Sequence, residues 1–169
     1  MPSWAYLCSE PFQSRYAVAA WALRGLPLVI EIGGYKTPID GFVGPGVRVL
    51  SIDPLCDPLE DGRVRRLTID YRDFDFGPFL GLDYGLAMLG FDLPITPKLL
   101  GLIAGARKIV IEYPDDGLWL DGRRAFEQLR PALKICWRLE LNLADNDFGD
   151  LRGSWPARVR RLLYVCEPA

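Results

Sequence analysis

Five short runs of β-favouring apolar residues, each bounded by glycine, aspartate or proline, constrain this chain more than any other feature of it. Leu28 to Ile32 (LVIEI) stops at Gly33-Gly34, and Val47 to Ile52 (VRVLSI) stops at Asp53-Pro54. Arg65 to Ile69 (RRLTI) stops at Asp70, Leu86 to Leu89 (LAML) lies between Gly85 and Gly90, and Lys108 to Glu112 (KIVIE) is stopped by Pro114. Runs this nearly continuous in apolar character suit strands buried on both faces, the signature of a parallel sheet. Helical stretches accompany them. Tyr16 to Leu23 ends at Gly25 and Pro27, Lys98 to Ala106 is weakened by Gly101 and Gly105, and Gly122 to Leu129 precedes Pro131. The expected class is α/β, with helices on both faces of a mostly parallel sheet.

The last third of the chain reads differently. Trp137 to Ala144 alternates Trp137, Leu139, Leu141 and Leu143 with Arg138, Glu140 and Asn142, the period of a strand with one wetter face. Val159 to Cys166 is a further strand, and the stretch between, from Asp145 to Arg158, is rich in Asp, Asn and Gly. Two strands joined without a helix pair antiparallel, because a parallel return needs a crossover. The chain of 169 residues is thus read as a single domain, 1–169, of five parallel strands and a C-terminal antiparallel hairpin.

Composition narrows the chemistry. At 50% hydrophobic and 25% charged residues the chain is globular rather than disordered. A net charge of -2 supplies no broad basic field for duplex nucleic acid, so no nucleic-acid partner is expected. The absence of histidine excludes imidazole bases and ligands, and with them the Ser-His-Asp triad and His-bound zinc. Cys8, Cys56, Cys136 and Cys166 form no C-x-x-C pair and read as reduced, partly buried thiols. The start, MPSWAYLCSE, lacks the basic and apolar regions of an export signal, and no stretch is long enough to span a bilayer, so a cytoplasmic location without membrane contact is expected.

In open α/β sheets ligands bind beyond the carboxyl ends of the strands, near the point where strand order reverses. Gly33-Gly34 there allows a sharp turn and close approach of backbone N–H groups to a ligand. Asp53 follows Gly33 by 20 residues and ends the second strand, where a carboxylate can accept both hydroxyl protons of a ribose. The plainer alternative is a tight turn and a polar cap.

With these elements in this order, the chain resembles the class I S-adenosylmethionine-dependent methyltransferases, a Rossmann-like family. The likeness runs from about Tyr16 to Cys166 and rests on the order of elements more than on one motif. Glu31-Ile32-Gly33-Gly34 matches the family's acid and glycine loop, and Asp53 in SIDP its second acid. Asp70-Tyr71-Arg72-Asp73-Phe74 follows the third strand, and Asp83 to Gly90 covers the fourth. The resemblance implies a seven-stranded sheet in order 3-2-1-4-5-7-6 with strand seven antiparallel. It implies S-adenosylmethionine as cofactor, with Glu31, Gly33, Gly34, Tyr35, Asp53, Pro54, Asp70, Tyr71, Leu89 and Gly90 as cofactor-binding residues. It departs from the family at Tyr35 and Thr37, which stand where the pattern has glycine; Pro38 then suits the first turn of a helix. The implied activity is methyl transfer to a small molecule. The alternative is a cofactor-free relative serving as an interaction or assembly module with a partner protein.

No catalytic residue is assigned; Asp92, Tyr113 and Asp147 are placed suitably for a base. No metal is expected. Glu60, Asp61, Asp70, Asp73 and Asp75 read as a solvated strand exit rather than a metal site, and Asp145 to Asp150 lacks the closing acid of a calcium loop, since Pro156 occupies that position. Arg152, Arg158, Arg160 and Arg161 suit an edge strand protected by charge. Trp119, Trp137 and Trp155 point to core or to a binding or homodimer surface.

Overall fold

The computed structural model describes residues 10–34, 38–89, 93–114, 120–143 and 159–169. The chain runs α1 (Glu10–Ala22), β1 (Leu28–Ile32), β2 (Arg48–Ile52), β3 (Leu59–Glu60), β4 (Val64–Leu67), β5 (Gly85–Met88), α2 (Pro97–Gly105), β6 (Lys108–Pro114), α3 (Leu120–Leu129), β7 (Leu133–Leu143) and β8 (Val159–Pro168). One sheet holds all the strands in the order β3-β4-β2-β1-β5-β6-β8-β7. From β4 to β6 every pairing is parallel, and β8 runs antiparallel to both β6 and β7. Seven of these strands stand in the expected order.

The eighth strand is a correction. Leu59-Glu60 is a two-residue edge strand antiparallel to β4. Asp61 makes its turn: its carboxylate accepts from the N–H of Val64 at 2.7 Å and of Arg63 at 3.1 Å, and Gly62 supplies a φ of 82°. Two residues are too few to show a period.

Other boundaries also move. Gly85, expected as a boundary, is the first residue of β5, where a Cβ would meet Leu23 Cδ2 at 2.8 Å and Leu26 Cδ1 at 2.9 Å, so a bare backbone lets the turn after α1 approach. Strand β7 begins at Leu133, four residues before the alternation does, because a bulge between Ile135 and Trp137 breaks its phase. The expected helix after Pro38 is one 3₁₀ turn, Ile39–Gly41. Gly41, Gly44 and Gly46 with Pro45 oppose its extension. The β4–β5 connection likewise uses 3₁₀ turns, Tyr71–Asp73 and Gly77–Phe79.

Alternation sends the strand side chains to two opposite layers. Ile30, Leu50, Leu86 and Ile109 pack with Leu99, Leu102 and Ile103 of α2 and with Phe126 and Leu129 of α3. Val29, Val49, Ala87, Val110 and Leu163 pack with Tyr16 and Ala19 of α1, with Leu23 just after it and with Ile39. Glu31, Ser51 and Glu112 are in phase with Val29, Val49 and Val110, so this second layer also carries buried polar groups. No helix among the described residues is long and apolar enough to cross a membrane.

Candidate functional site

The carboxyl ends of β1, β2 and β4 open onto a cavity of about 450 Å³. Its walls are Ile32 and Gly33 from β1, Ile52 to Leu55 from β2, Asp70 to Arg72 after β4, and Leu93-Pro94 after β5. Backbone bonds lock these strand ends together. Gly33 N–H donates to Ile52 O at 3.1 Å, Asp53 N–H to Leu67 O at 3.2 Å, and Leu89 N–H to Ile32 O at 3.2 Å. Gly33 turns out of β1 with a φ of 83°, in the left-handed region that favours glycine.

Asp53 is nearly buried at this mouth, and one carboxylate oxygen accepts from Leu55 N–H at 2.7 Å. Asp70 pairs with Arg72 in a fork, Nε to Oδ1 at 2.9 Å and Nη2 to Oδ2 at 2.7 Å, and also caps Arg72 N–H. That guanidinium holds the Asp70 carboxyl down at about 2. The Tyr71 ring is buried, and its hydroxyl donates to the Pro94 carbonyl, which pins the 93–96 segment as a wall. Lys98 Nζ donates to the carbonyls of Arg72 and Phe74, tying α2 to the same turn.

A polar layer lies behind the cavity, on the α1 side of the sheet. Glu31 is fully buried and accepts from Ser51 Oγ at 2.6 Å and from Ile39 N–H at 3.0 Å. Burial, with Asp40 and Asp53 nearby, pushes its carboxyl up to about 8 against those two hydrogen bonds. Asp40 takes a forked pair from Arg66, Nε at 2.9 Å and Nη2 at 2.7 Å. Arg15 of α1 reaches Glu112 of β6 at 2.5 Å and donates to Tyr16 Oη at 3.1 Å; Tyr16 Oη donates to Gly34 O at 3.2 Å. Both ends of the segment after β1 are held in this way: Gly34 by Tyr16, Ile39 by Glu31 and Asp40 by Arg66.

Of the residues named from the sequence, Gly33, Asp53, Pro54, Asp70 and Tyr71 line the cavity. Glu31 and Gly34 stand one layer behind it. Gly34 is bare because a Cβ there would lie 2.4 Å from Glu31 Oε2. Leu89 is buried on the α1 side. Tyr35, Thr37, Gly90, Asp92 and Asp147 lie outside the described residues, as do Cys8, Trp119, Trp155, Arg152 and Arg158. Tyr113 is largely buried and stacked on Phe126 at 5.5 Å, and Trp137 packs edge-on against Trp21. Cys56 and Cys166 are buried and Cys136 exposed, all as free thiols. Asp61 and Asp75 each cap a turn, and no metal-holding group of three acids or thiols occurs among the described residues. The sequence reading missed Ile32, Ile52, Leu55, Arg72, Leu93 and Pro94 at the cavity and Arg15, Tyr16, Asp40, Ser51 and Arg66 behind it. Ser51 carried a signal, as the polar residue in phase with Val49 in an otherwise buried strand.

No protein-family model matches the sequence, and no curated protein matches it. Solved structures match its fold. The N-methyltransferase NodS from Bradyrhizobium japonicum WM9 superposes with a TM-score of 0.63 at 11% identity, over 96% of this chain and 98% of that one. The N-terminal domain of EvdMO1, crystallised with SAH bound, gives 0.58 at 15% identity over 97% of this chain and 84% of that one. The 23S rRNA methyltransferase ErmE gives 0.51 at 12% identity over 92% and 69%. The chain has the fold of the class I methyltransferases.

Proposed function

We propose that this chain binds S-adenosylmethionine at the β1-β2-β4 cavity and transfers its methyl group to a small-molecule acceptor. The observation that carries this reading is the meeting of Asp53 and the left-handed Gly33 on one ligand-sized cavity. The walls fit the cofactor's parts. Ile32, Ile52, Leu55, Leu93 and the Tyr71 ring offer apolar surface for an adenine, and the Asp53 carboxylate can accept ribose hydroxyls. Gly33 would border the methionine side, and Pro54 and Asp70 would flank the nucleoside. The bound cofactor supplies an electrophilic methyl on sulfur, and the chain's task is to orient an acceptor toward it. The fold neighbours include the 23S rRNA methyltransferase ErmE, but a net charge of -2 favours a small acceptor over RNA.

One observation favours the cofactor-free alternative. The Asp70 carboxylate is already engaged by Arg72, and the Tyr71 hydroxyl by Pro94, so neither is poised for an adenine edge. Calorimetric titration with S-adenosylmethionine and S-adenosylhomocysteine separates the two readings. Asp53→Ala removes a charge-assisted acceptor and is expected to weaken binding by roughly 1.5–3 kcal/mol. Unchanged affinity would place the ligand elsewhere, and no binding by the parent protein would leave the interaction module as the better account.

A further inference from the structure

We propose that the cleft between α3 and the β7–β8 hairpin binds a small planar aromatic carboxylate, its ring against Tyr164 and its carboxylate held by Arg130 and Arg138. This cleft shares no lining residue with the β1-β2-β4 cavity, so it stands whether or not that cavity takes a cofactor.

Strand register builds the cleft. Tyr164 of β8 lies opposite Ile111 of β6 on one side and Arg138 of β7 on the other. Leu162 lies opposite Tyr113 in the same way. Residues directly opposite across a ladder share a face, so Tyr113, Leu162, Tyr164 and Arg138 all turn to the α3 side. Phe126 and Leu129 of α3 cover the β6 part of that face. The outermost strand, β7, is left less covered, and its Ile135 stays 38% exposed. The space between is a cavity of about 370 Å³, a size suited to a small ligand, with Glu127 and Arg130 on the helix side.

Two features define the ligand. The first is a run of rings. Phe126 stacks on Tyr113 at 5.5 Å and on Tyr164 at 4.5 Å, with interplanar angles of 26° and 30°. Tyr113 and Phe126 are buried but Tyr164 only partly so, and the run opens to the cleft there. One more flat ring continues it. The second feature is charge. The chain as a whole stands at -2, yet this lining carries two guanidiniums and one carboxylate. Arg130 and Glu127 are 3.8 Å apart and both more than half exposed, a pair of little strength. Nearby charges are engaged elsewhere: Lys134 with Glu167 at 3.0 Å, and Arg124 and Glu140 in interactions of their own. The planar fork of Arg138 can take a carboxylate bidentately. A charge that only guards a sheet edge needs no cavity beside it, whereas Arg138 stands directly across from the open ring of the stack. A neutral ring would leave the guanidiniums unused, and a bare phosphate would leave the rings unused.

The test is calorimetry and NMR on the whole chain with cinnamate, its uncharged counterpart cinnamyl alcohol, and inorganic phosphate. Cinnamate is expected to bind saturably and to shift the Arg138 side-chain N–H and Tyr164 ring signals. Arg138→Gln, an exposed change that leaves the core alone, should weaken cinnamate roughly fivefold, and adding Arg130→Gln should weaken it further. Cinnamyl alcohol and phosphate should each bind the parent more weakly than cinnamate by a similar factor. Equal affinity for cinnamate in the parent and Arg138→Gln would overturn the proposal, as would no binding to the parent. Cinnamyl alcohol binding as tightly as cinnamate would leave only an apolar cleft, and phosphate binding as tightly would leave only an anion site; either result overturns it. Displacement of cinnamate by S-adenosylmethionine, with shifts at Gly33 and Asp53 in place of Tyr164, would put cinnamate in the other cavity and reject the second site.

Discussion

The two sides of the sheet solve burial in opposite ways. Under α2 and α3 the layer is hydrocarbon and aromatic, with Leu99 and Leu102 wholly buried against Ile30, Leu86 and Ile109. Under α1 the layer holds alanine and valine, but also Glu31, Ser51, Asp40, Glu112 and Arg15, all buried. Area burial alone explains the first side. The second requires every charge to find a partner, since an unpaired buried charge is far costlier than an unfilled cavity. The polar side is where the chain between β1 and β2 lacks an α-helix. Arg15–Glu112, Tyr16–Gly34, Glu31–Ile39 and Asp40–Arg66 hold that segment in its place.

The largest expected effects come from breaking one group on each side. Arg15→Ala takes the guanidinium from the buried Glu112 carboxylate and should cost about 3–5 kcal/mol. Replacing both, Arg15→Met with Glu112→Leu, should recover most of that loss. Leu102→Ala on the other side opens a cavity and should cost about 2–5 kcal/mol, with no partner change able to repair it. Urea unfolding of the four proteins checks the contrast. A double variant as unstable as Arg15→Ala would mean the pair does more on the α1 side than neutralise itself.

A pH effect of a few kcal/mol at most should come from the α1 side alone. Glu31 is raised from 4.5 to about 8, so the folded state holds this proton more tightly than the unfolded chain does. Its contribution is complete below pH 4.5 and is lost as pH rises through about 8, so stability declines across that window. Glu31→Gln should flatten the decline while Ser51→Ala, which removes a donor to the carboxylate, should steepen it. Asp70 acts in the opposite sense. Held at about 2 by Arg72, it contributes above the usual carboxylate range and loses that contribution as pH falls toward 2. Its exposure and solvent screening keep the effect small. Unfolding free energies measured between pH 2 and 9 separate the two.

The same contrast explains what could be read from the sequence. β1, β2 and β6 were legible because each carries at least five residues of apolar, β-favouring character with a glycine, aspartate or proline stop. The antiparallel return of β8 followed from the lack of a helical pattern before it. β3 was not legible at two residues, nor the start of β7, where a bulge erases the period. At the site, Gly33 and Asp53 could be named because strand ends in a parallel sheet converge on one edge, while Pro54, Asp70 and Tyr71 came with the resemblance to the methyltransferase family. The α1-side pairs could not be found, because Arg15 and Glu112 are 97 positions apart and only the folded chain makes them neighbours. Glu31 is in phase with Val29, and its carboxyl turns to Ser51 and Ile39 on the α1 side.

The smallest expected effect tests whether the polar side serves the site or only the fold. Tyr16→Phe removes two hydrogen bonds, from the hydroxyl to Gly34 O and from Arg15 Nη2 to the hydroxyl, and leaves the ring stacked on Phe42 at 5.7 Å. The Arg15–Glu112 pair remains. The stability cost should be about 1–3 kcal/mol, the net worth of two hydrogen bonds. The informative quantity is ligand affinity. If Tyr16 only supports packing, affinity for S-adenosylmethionine should be unchanged once the variant is folded. If it holds the glycine turn in its binding geometry, affinity should fall severalfold at a temperature where both proteins are fully folded, because part of the binding energy is then spent on ordering the turn. The second outcome is expected, since Gly34 directly follows the cavity residue Gly33 and its carbonyl is the atom that Tyr16 holds.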